Sequence, residues 1–256
     1  YAYTNNDICD FVNGSWSPAN PMSNIWTSSY KAIQICNQYL AEFQGLTFDE
    51  LKLNDDYRAQ MFRYTNSFKE ARFLRAYFYF NLVRAYGDVP YFTEMVTTDQ
   101  VNSLTRTPAQ EIFNAIIAEC DKLSTELPAD YTKLGLDGIA PAENGRVTCY
   151  AALALKARAA LYAASPLFNP ENNKDLWRRA AEANKEVIET CTANGFKLSK
   201  YSELWGPNNW SNNEMIFVRR YNGNISTLEE YNFPMGVPGG NSGNCPTQNM
   251  VDAYEM

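Results

Sequence analysis

The sequence predicts a mainly α-helical protein built from stacked helical hairpins, with long loops and a few short strands. Apolar side chains recur at helical spacing in four or five segments of similar length. Most of these segments carry local start and stop signals for helices. Short connections between paired segments favour antiparallel neighbours, so consecutive helices are expected to form hairpins. A strict repeat of about 34 residues is not visible, so this pattern alone predicts only an array of α-hairpins.

The most informative helix lies within EARFLRAYFYFNLVRAYGDVP, residues 70–90. Ser67 and Glu70 match a capping box that starts a helix, and Gly87 followed by Pro90 matches its end. Apolar and aromatic side chains cover most of its circumference, so we expect burial on several sides. A buried charge needs a partner, so its arginines should meet carboxylates, carbonyls or solvent. These arginines are Arg72, Arg75 and Arg84.

Three other helices and one short helix are predicted from the same kinds of signal. The first runs from about 22 to about 43, and a short helix at about 56–64 leads to the aromatic one. An alanine-rich helix at about 148–165 offers small side chains, which let a neighbouring helix approach closely. The last helix, at about 175–192, has Asn173 as its expected N-cap.

A further helix between these has the clearest predicted start. Thr107 is the expected N-cap, Pro108 takes the first helical position and Gln110 takes the third. Apolar residues then recur at helical spacing until Pro128, which cannot continue the helix. The local signals therefore predict that Thr107 caps this helix.

Composition and charge exclude several classes of function. The chain of 256 residues carries 22 Lys and Arg against 29 Asp and Glu, a formal net charge of −7. This argues against nucleic acid as the main partner, since phosphate binding needs clustered cations. The absence of histidine removes Ser-His and Cys-His nucleophiles and the commonest metal ligand. No cofactor and no metal site are therefore expected. The sequence also lacks an apolar run of about 18 residues, so no membrane span is predicted.

Six cysteines are spread along the chain without any C-x-x-C spacing. This spacing signals neither a zinc site nor a thioredoxin-type motif. Most of the cysteines fall within predicted helices, where a small buried thiol is the simplest interpretation. An even count would also permit disulfides in an exported protein, with a connectivity that the sequence does not reveal.

The chain is interpreted as one domain, residues 1–256, with two regions of different character. Residues 22–195 form the helical-repeat scaffold, and residues 196–256 form a loop-rich region. Short strands are predicted at 196–198 and 215–218. The glycine-rich stretch that follows reads as a long loop, and long loops on a rigid scaffold often carry binding sites.

Several stretches besides residues 70–90 carry a family resemblance. They are WTSSYKAIQICNQYL (26–40), RTPAQEIFNAIIAECDKLSTELP (106–128), GRVTCYAALALKARAALYAASPLF (145–168), NNEMIFVRRY (212–221) and PTQNMVDAYEM (246–256). Taken together and in this order, they resemble the SusD/RagB family, the surface glycan-binding lipoproteins of Bacteroidetes-type bacteria. The resemblance extends over nearly the whole chain.

This resemblance implies a SusD-like fold, in which tetratricopeptide-like helical hairpins support ligand-binding loops. It implies non-catalytic binding of oligosaccharide or polysaccharide, for delivery to a TonB-dependent SusC-like transporter. It also implies a surface-exposed lipoprotein of the outer membrane, whose N-terminal lipid anchor is expected to be absent from this chain. Members of the family are commonly about twice as long, so the chain is expected to be a fragment that lacks the C-terminal half.

Sugar binding needs aromatic rings in polar loops, because the flat C–H face of a sugar stacks on a ring while its hydroxyls bind polar side chains. Trp16 is one candidate, with Asn13 beside it, and in the family a loop aromatic also precedes the first helix. Trp210 with Asn209 is another candidate. The remaining candidates flank the glycine-rich loop and are Tyr221 and Tyr231. Each of these rings could instead pin its loop onto the helices.

Two other functions are weighed against glycan capture. A helical-repeat module that binds a protein or peptide would use the same scaffold. A carboxylate glycosidase would need a pair of acidic residues flanking the scissile bond. The adjacent pairs Asp55-Asp56 and Glu229-Glu230 are the candidates, although neighbours in sequence usually point apart.

Overall fold

The structure is a computed structural model in which some segments are described and others are not. The described residues are Ser17, 25–136, Glu143, 145–205, 209–219, 233–240 and 248–254. The chain divides into two compact units, one of residues 25–219 and one of residues 1–24 together with 220–256. The long helices and both clefts described below lie in the unit of residues 25–219.

Helices dominate the described residues. They are α1 (Trp26–Glu42), α2 (Tyr57–Tyr86), α3 (Thr98–Ser103), α4 (Ala109–Glu126), α5 (Cys149–Ala164), α6 (Lys174–Ala193) and α7 (Gln248–Asp252). Short 3-10 turns occupy Asp49–Leu51, Tyr131–Lys133, Tyr201–Trp205 and Asn209–Ser211. Helix α1 packs on α2, α2 on α4, α4 on α5 and α5 on α6. This serial packing confirms the predicted array of helical hairpins.

The aromatic helix α2 supplies much of the main core. Phe73, Tyr79 and Phe80 are almost completely buried there, between Ile33 of α1 and Phe113 of α4. A second cluster joins α5 to α6 and consists almost entirely of alanines. They are Ala157, Ala160 and Ala164 from α5 with Ala180 and Ala183 from α6. Small side chains therefore form the contact between α5 and α6, as the alanine-rich composition of α5 predicted.

Helix α2 begins earlier than predicted, and the capping box at Ser67 and Glu70 is wrong. The helix starts at Tyr57 and merges with the short helix expected before it. The Ser67 hydroxyl lies inside the helix, 2.6 Å from the Tyr64 carbonyl and 2.5 Å from the hydroxyl of Tyr39 on α1. Tertiary partners therefore explain a pattern that also fits a helix start. The predicted end is confirmed, because Gly87 has φ 69° and its N–H donates to Val83 O.

The side chain of Asp88, rather than that of the predicted Thr107, caps the start of helix α4. It begins at Ala109, whose N–H donates to the Asp88 carboxylate at 2.7 Å. The N–H of Thr107 donates to Val89 O in an isolated antiparallel bridge, which holds Thr107 in an extended connection. The side chain of Gln110 is also occupied, since it donates to the carbonyl oxygens of residues 163 and 168.

The other helix predictions agree closely with the structure, whereas the predicted strands at 196–198 and 215–218 are wrong. Asn173 caps α6 by accepting from the N–H of Asp175 at 2.9 Å. The described residues contain no β-strand. Around 196–218, side chains take part in the hydrogen bonding that a strand would leave to the backbone. One example is Glu214, whose carboxylate accepts from the N–H of Ser199.

The three arginines for which partners were predicted, all within α2, meet the kinds of partner that were expected. Arg72 binds Glu119 and Glu126, and Arg75 binds an amide oxygen and a backbone carbonyl oxygen. Arg84 is exposed, with its guanidinium carbon 5.9 Å from the centre of the Phe80 ring.

The cysteines within the described part of the chain are free thiols. Cys36, Cys120 and Cys191 are buried and Cys149 is half-buried. This agrees with the interpretation of small buried thiols. No helix in the described segments is both long and apolar enough to cross a membrane.

Candidate functional site

Most of the predicted glycan-binding residues lie outside the described residues. These are Asn13, Trp16, Tyr221 and Tyr231. Asn209 and Trp210 lie in the 3-10 turn Asn209–Ser211, where Asn209 is half-buried and its carbonyl accepts from the N–H of Asn212. The geometry of this set stays a prediction.

A groove of about 580 Å³ lies between the α1–α2 connection and the first half of α2. We call it the connection groove. Aromatic rings from both elements line it, together with polar side chains that can bind hydroxyl groups. They are Phe48, Tyr57 and Tyr64 with Asn54, Asp56 and Gln60. Its volume falls in the range of roughly 300–1,000 Å³ that is typical of small-molecule sites.

Tyr64 attaches the α1–α2 connection to α2. Its hydroxyl donates to the carbonyl of Phe43 at 2.6 Å and accepts from the N–H of Leu46 at 3.0 Å. The ring of Phe48 meets the Tyr64 ring edge-on, with centroids 5.4 Å apart. Both walls of the groove are therefore held in place without a ligand, which lowers the cost of binding one.

A network of oppositely charged side chains reaches the groove at Arg63 and Arg146, which also line it. Arg146 binds Glu70 through two parallel hydrogen bonds of 2.9 Å and binds Glu143 at 2.8 Å. Arg63 binds the other oxygen of Glu143 at 2.7 Å. Burial alone would raise the pKa of the Glu143 carboxyl, but hydrogen bonds from both arginines outweigh burial and lower this pKa. Glu143 therefore stays ionised near neutral pH.

Tyr131 connects this network of charged side chains to the start of α5. Its hydroxyl lies 2.7 Å from Val147 O and 3.0 Å from a Glu70 oxygen, and it accepts from the Asn66 amide at 2.8 Å. Burial raises the pKa of Tyr131, and the nearby charge of Glu70 raises it further. Neutral Tyr131 therefore supports Glu70, which in turn orients Arg146 at the groove.

The connection groove suits binding better than hydrolysis. Among its described lining residues Asp56 is the one carboxylate, and its oxygen accepts from Gln60 at 2.9 Å. Glycoside hydrolysis commonly needs two carboxylates across the scissile bond. No group of side chains in the described segments could hold a metal ion. Aromatic rings beside amides and charged groups instead match the surface of a neutral sugar.

Sequence reasoning missed this groove because its rings lie on different elements. Residues 44–55 fell between two predicted helices, and Tyr64 was predicted to end the short helix at about 56–64. The available signal was the spacing of three rings, Phe48, Tyr57 and Tyr64, among amide and carboxylate residues. The contribution of Arg146 had no local signal, since it comes from a segment far along the chain.

Comparisons with known proteins give a consistent result. A SusD-like family model, described as starch-binding and associating with the outer membrane, matches residues 2–161. A SusD-like protein from Bacteroides fragilis NCTC 9343 has a TM-score of 0.70 at 24% identity, over 96% of this chain and 44% of that chain. A SusD-like carbohydrate-binding protein from the same organism has a TM-score of 0.63 at 26% identity, over 86% of this chain and 37% of that chain.

A curated relative shows the same relationship in sequence. SusD-like protein P2 from Formosa agariphila is 26% identical over 210 residues, which are 80% of this chain and 35% of the relative. The chain thus spans less than half the length of the proteins it matches. The family model covers more than half of the chain, and the helical array agrees with the SusD-like structures. The chain therefore belongs to the SusD-like family.

Proposed function

We propose that this chain binds oligosaccharide or polysaccharide without cleaving it. The observation that carries this proposal is the match of residues 2–161 to a family model described as starch-binding. Two further observations support it. One similar structure, at 26% identity, is described as a carbohydrate-binding protein. The connection groove also brings rings and hydrogen-bonding side chains together in a volume that suits a short stretch of sugar.

The proposed contact residues in the loops are those predicted from the sequence. They are Asn13, Trp16, Asn209, Trp210, Tyr221 and Tyr231. In this mechanism several aromatic rings stack on successive sugar faces, and nearby amides bind the hydroxyl groups. Each contact is weak, so affinity depends on several rings acting together. The connection groove contributes Phe48, Tyr57 and Tyr64 to the same task.

We also propose a location and a partner for the whole protein. The family model is described as associating with the outer membrane, which supports a surface-exposed lipoprotein there. Its function would be to capture glycan and deliver it to a TonB-dependent SusC-like transporter. Membrane attachment would come from an N-terminal lipid anchor rather than from the helices described above. Co-purification of the full-length protein with that transporter from outer membranes tests this part.

Native affinity electrophoresis against a panel of soluble polysaccharides tests glycan binding. We expect one glycan to retard the wild-type chain, and Trp16→Ala to abolish most of that retardation. Tyr57→Ala reports separately on the connection groove. Trp177→Ala and Tyr201→Ala are matched controls, because Trp177 is 39% exposed and Tyr201 is 76% exposed and neither lines the connection groove.

Three outcomes would contradict the proposal in different ways. If no glycan retards the chain, glycan capture by these residues is wrong. If retardation survives the combined loss of Trp16 and Trp210, the loop residues are wrong as the main contacts. Binding of a protein or peptide that survives this loss, without retardation by any glycan, would favour a helical-repeat module instead. Release of reducing sugar that disappears on mutation of Glu229 or Glu230 would contradict non-catalytic binding.

A further inference from the structure

A second cleft, distinct from the connection groove, lies between α2 and α4. Its volume is about 250 Å³ and it has a mainly polar lining. We call it the arginine cleft. The side chains that matter are Arg72, Arg75, Tyr91, Thr93 and Glu119.

One of the two arginines in this cleft already has anionic partners. Arg72 Nε lies 2.6 Å from a Glu119 oxygen, and Arg72 Nη1 lies 2.6 Å from a Glu126 oxygen. The nearby carboxylates are therefore bound to Arg72. A ligand would gain little by competing with them.

Arg75 differs because its partners are neutral. Its Nη1 donates to Asn37 Oδ1 at 2.9 Å and to the Thr93 carbonyl at 2.7 Å. No carboxylate within the described segments forms an ion pair with it, and no described residue accepts from its Nε or Nη2. A guanidinium has five N–H donors in a planar fork. Three of those donors therefore have no acceptor among the described residues, on a half-buried cation that two hydrogen bonds hold in place.

Tyr91 provides a hydroxyl group beside this cation. Its ring packs on Tyr79, with centroids 4.6 Å apart, so the position of the ring is held. Burial raises the pKa of Tyr91, so the phenol is protonated near neutral pH, and Tyr91 lines the same cleft as Arg75. Tyr91 can therefore donate to the anion that Arg75 attracts. The exposed Thr93 lies at the same cleft.

A carboxylate is the ligand group that best fits these donors. The guanidinium fork binds a carboxylate through two parallel hydrogen bonds, and such charge-assisted bonds are about twice as strong as neutral ones. The cleft is smaller than the range of roughly 300–1,000 Å³ for drug-sized ligands. It has room for one sugar ring rather than for a chain.

We propose that the arginine cleft binds the carboxylate of an acidic sugar, a hexuronate, through Arg75 and Tyr91. This inference rests on the proposed glycan-binding function and narrows its ligand class. In this arrangement Arg75 holds the carboxylate, Tyr91 donates a further hydrogen bond and Thr93 is available to a ring hydroxyl. A neutral hexose of the same shape gains none of the charge-assisted bonds.

Calorimetric titration with galacturonate tests this inference, with galactose as the matched neutral sugar and acetate as the carboxylate without a ring. We expect galacturonate to bind more tightly than either, and its binding to weaken with added salt. Arg75→Gln should weaken binding about tenfold or more, since it removes the charge-assisted pair. Arg58→Gln is the matched control, because Arg58 is an exposed arginine of the same helix outside the cleft.

Two further variants keep the test decisive if Arg75→Gln fails to fold. Tyr91→Phe removes only the hydroxyl and should weaken galacturonate binding about threefold to tenfold. Arg75→Lys keeps the charge but loses the planar fork, so it should restore binding only in part. Circular dichroism and thermal midpoints confirm the fold of each variant.

Several results would overturn the inference. Equal binding of galactose and galacturonate would exclude carboxylate recognition. Equal binding of acetate and galacturonate would exclude an acidic sugar, and equal weakening by Arg58→Gln and Arg75→Gln would exclude this cleft. The polysaccharide gel separates the two proposals, because Arg75→Gln should keep its retardation by a neutral glycan. If the wild-type chain binds galacturonate but no polysaccharide, glycan capture is wrong and the cleft is not a glycan subsite.

Discussion

Removing the hydroxyl of Tyr79 should destabilise the fold by a predictable amount. Tyr79 is 1% exposed within α2. Its hydroxyl donates to the carbonyl of Phe92 at 2.7 Å and accepts from the N–H of the same residue at 3.0 Å. One hydroxyl therefore satisfies both backbone groups of Phe92 and attaches the segment after α2 to the helix. Tyr79→Phe keeps the ring and removes these two bonds.

The magnitude follows from the cost of leaving those groups unpaired. A buried donor or acceptor without a partner costs about 1–3 kcal/mol. Phe92 is half-buried, so water can partly replace the lost bonds, and we take the lower part of that range for each. The free energy of unfolding should then fall by about 2–3 kcal/mol. For a chain of this size, about 2–4 °C per kcal/mol gives a loss of roughly 4–12 °C in Tm.

Urea unfolding followed by circular dichroism measures this loss, with Tyr77→Phe as the matched control. Tyr77 belongs to the same helix, is 38% exposed, and its hydroxyl has no hydrogen-bond partner within the described segments. Its substitution should change stability by less than about 0.5 kcal/mol. Hydrogen exchange adds a local measurement, since the Phe92 amide should lose protection only in Tyr79→Phe. Similar losses for both variants, or unchanged protection at Phe92, would refute the reasoning.

Two further predictions concern the titration and reactivity of buried groups. Burial raises the pKa values of Tyr30 and Tyr79, so the unfolded chain loses these protons first, near its ordinary pKa of about 10. The contribution of these tyrosines to the free energy of unfolding should therefore be complete below pH 10. Above pH 10 the free energy of unfolding should fall by about 1.4 kcal/mol per pH unit for each such tyrosine. If its slope against pH were the same in Tyr79→Phe as in wild type, the prediction would be contradicted. Burial also raises the pKa of Cys120 to about 12, and this thiol is 0% exposed. In the native protein, peptide mapping should show slower alkylation of Cys120 than of half-buried Cys149. Unfolding in guanidinium should remove this difference. Equal alkylation rates in the native protein would exclude protection of Cys120 by burial.

Local signals predicted the fold well where a helix depends on its own residues. The alanine-rich composition of α5 and the Asn173 cap of α6 act within a few residues, and the structure confirms both. The same kind of signal failed at Ser67 and Thr107, because each side chain or backbone group found a partner elsewhere. A hydroxyl that can cap a helix can equally bond across a hairpin. Sequence spacing alone does not distinguish these outcomes.

The candidate sites show the same division more strongly. The loop rings, such as Trp16 and Trp210, were proposed from residue type and surroundings alone. The connection groove could not be proposed this way, because Tyr64 and Arg146 meet only when the chain is folded. For the arginine cleft, the sequence predicted that Arg72 and Arg75 need partners. It could not predict that carboxylates would bind only the first of them.

The sequence by itself determined the class of this protein. Helical periodicity and cap residues specify hairpins, the absence of histidine excludes histidine-based chemistry, and the ordered motifs identify the SusD-like family. Only the tertiary structure decided which polar groups meet, such as Glu70 with Arg146, 76 residues apart. Helix formation depends on interactions within a few residues along the chain, and these can be read from order alone. Ion pairs and binding clefts depend on distances through space, which exist only after the helices have packed.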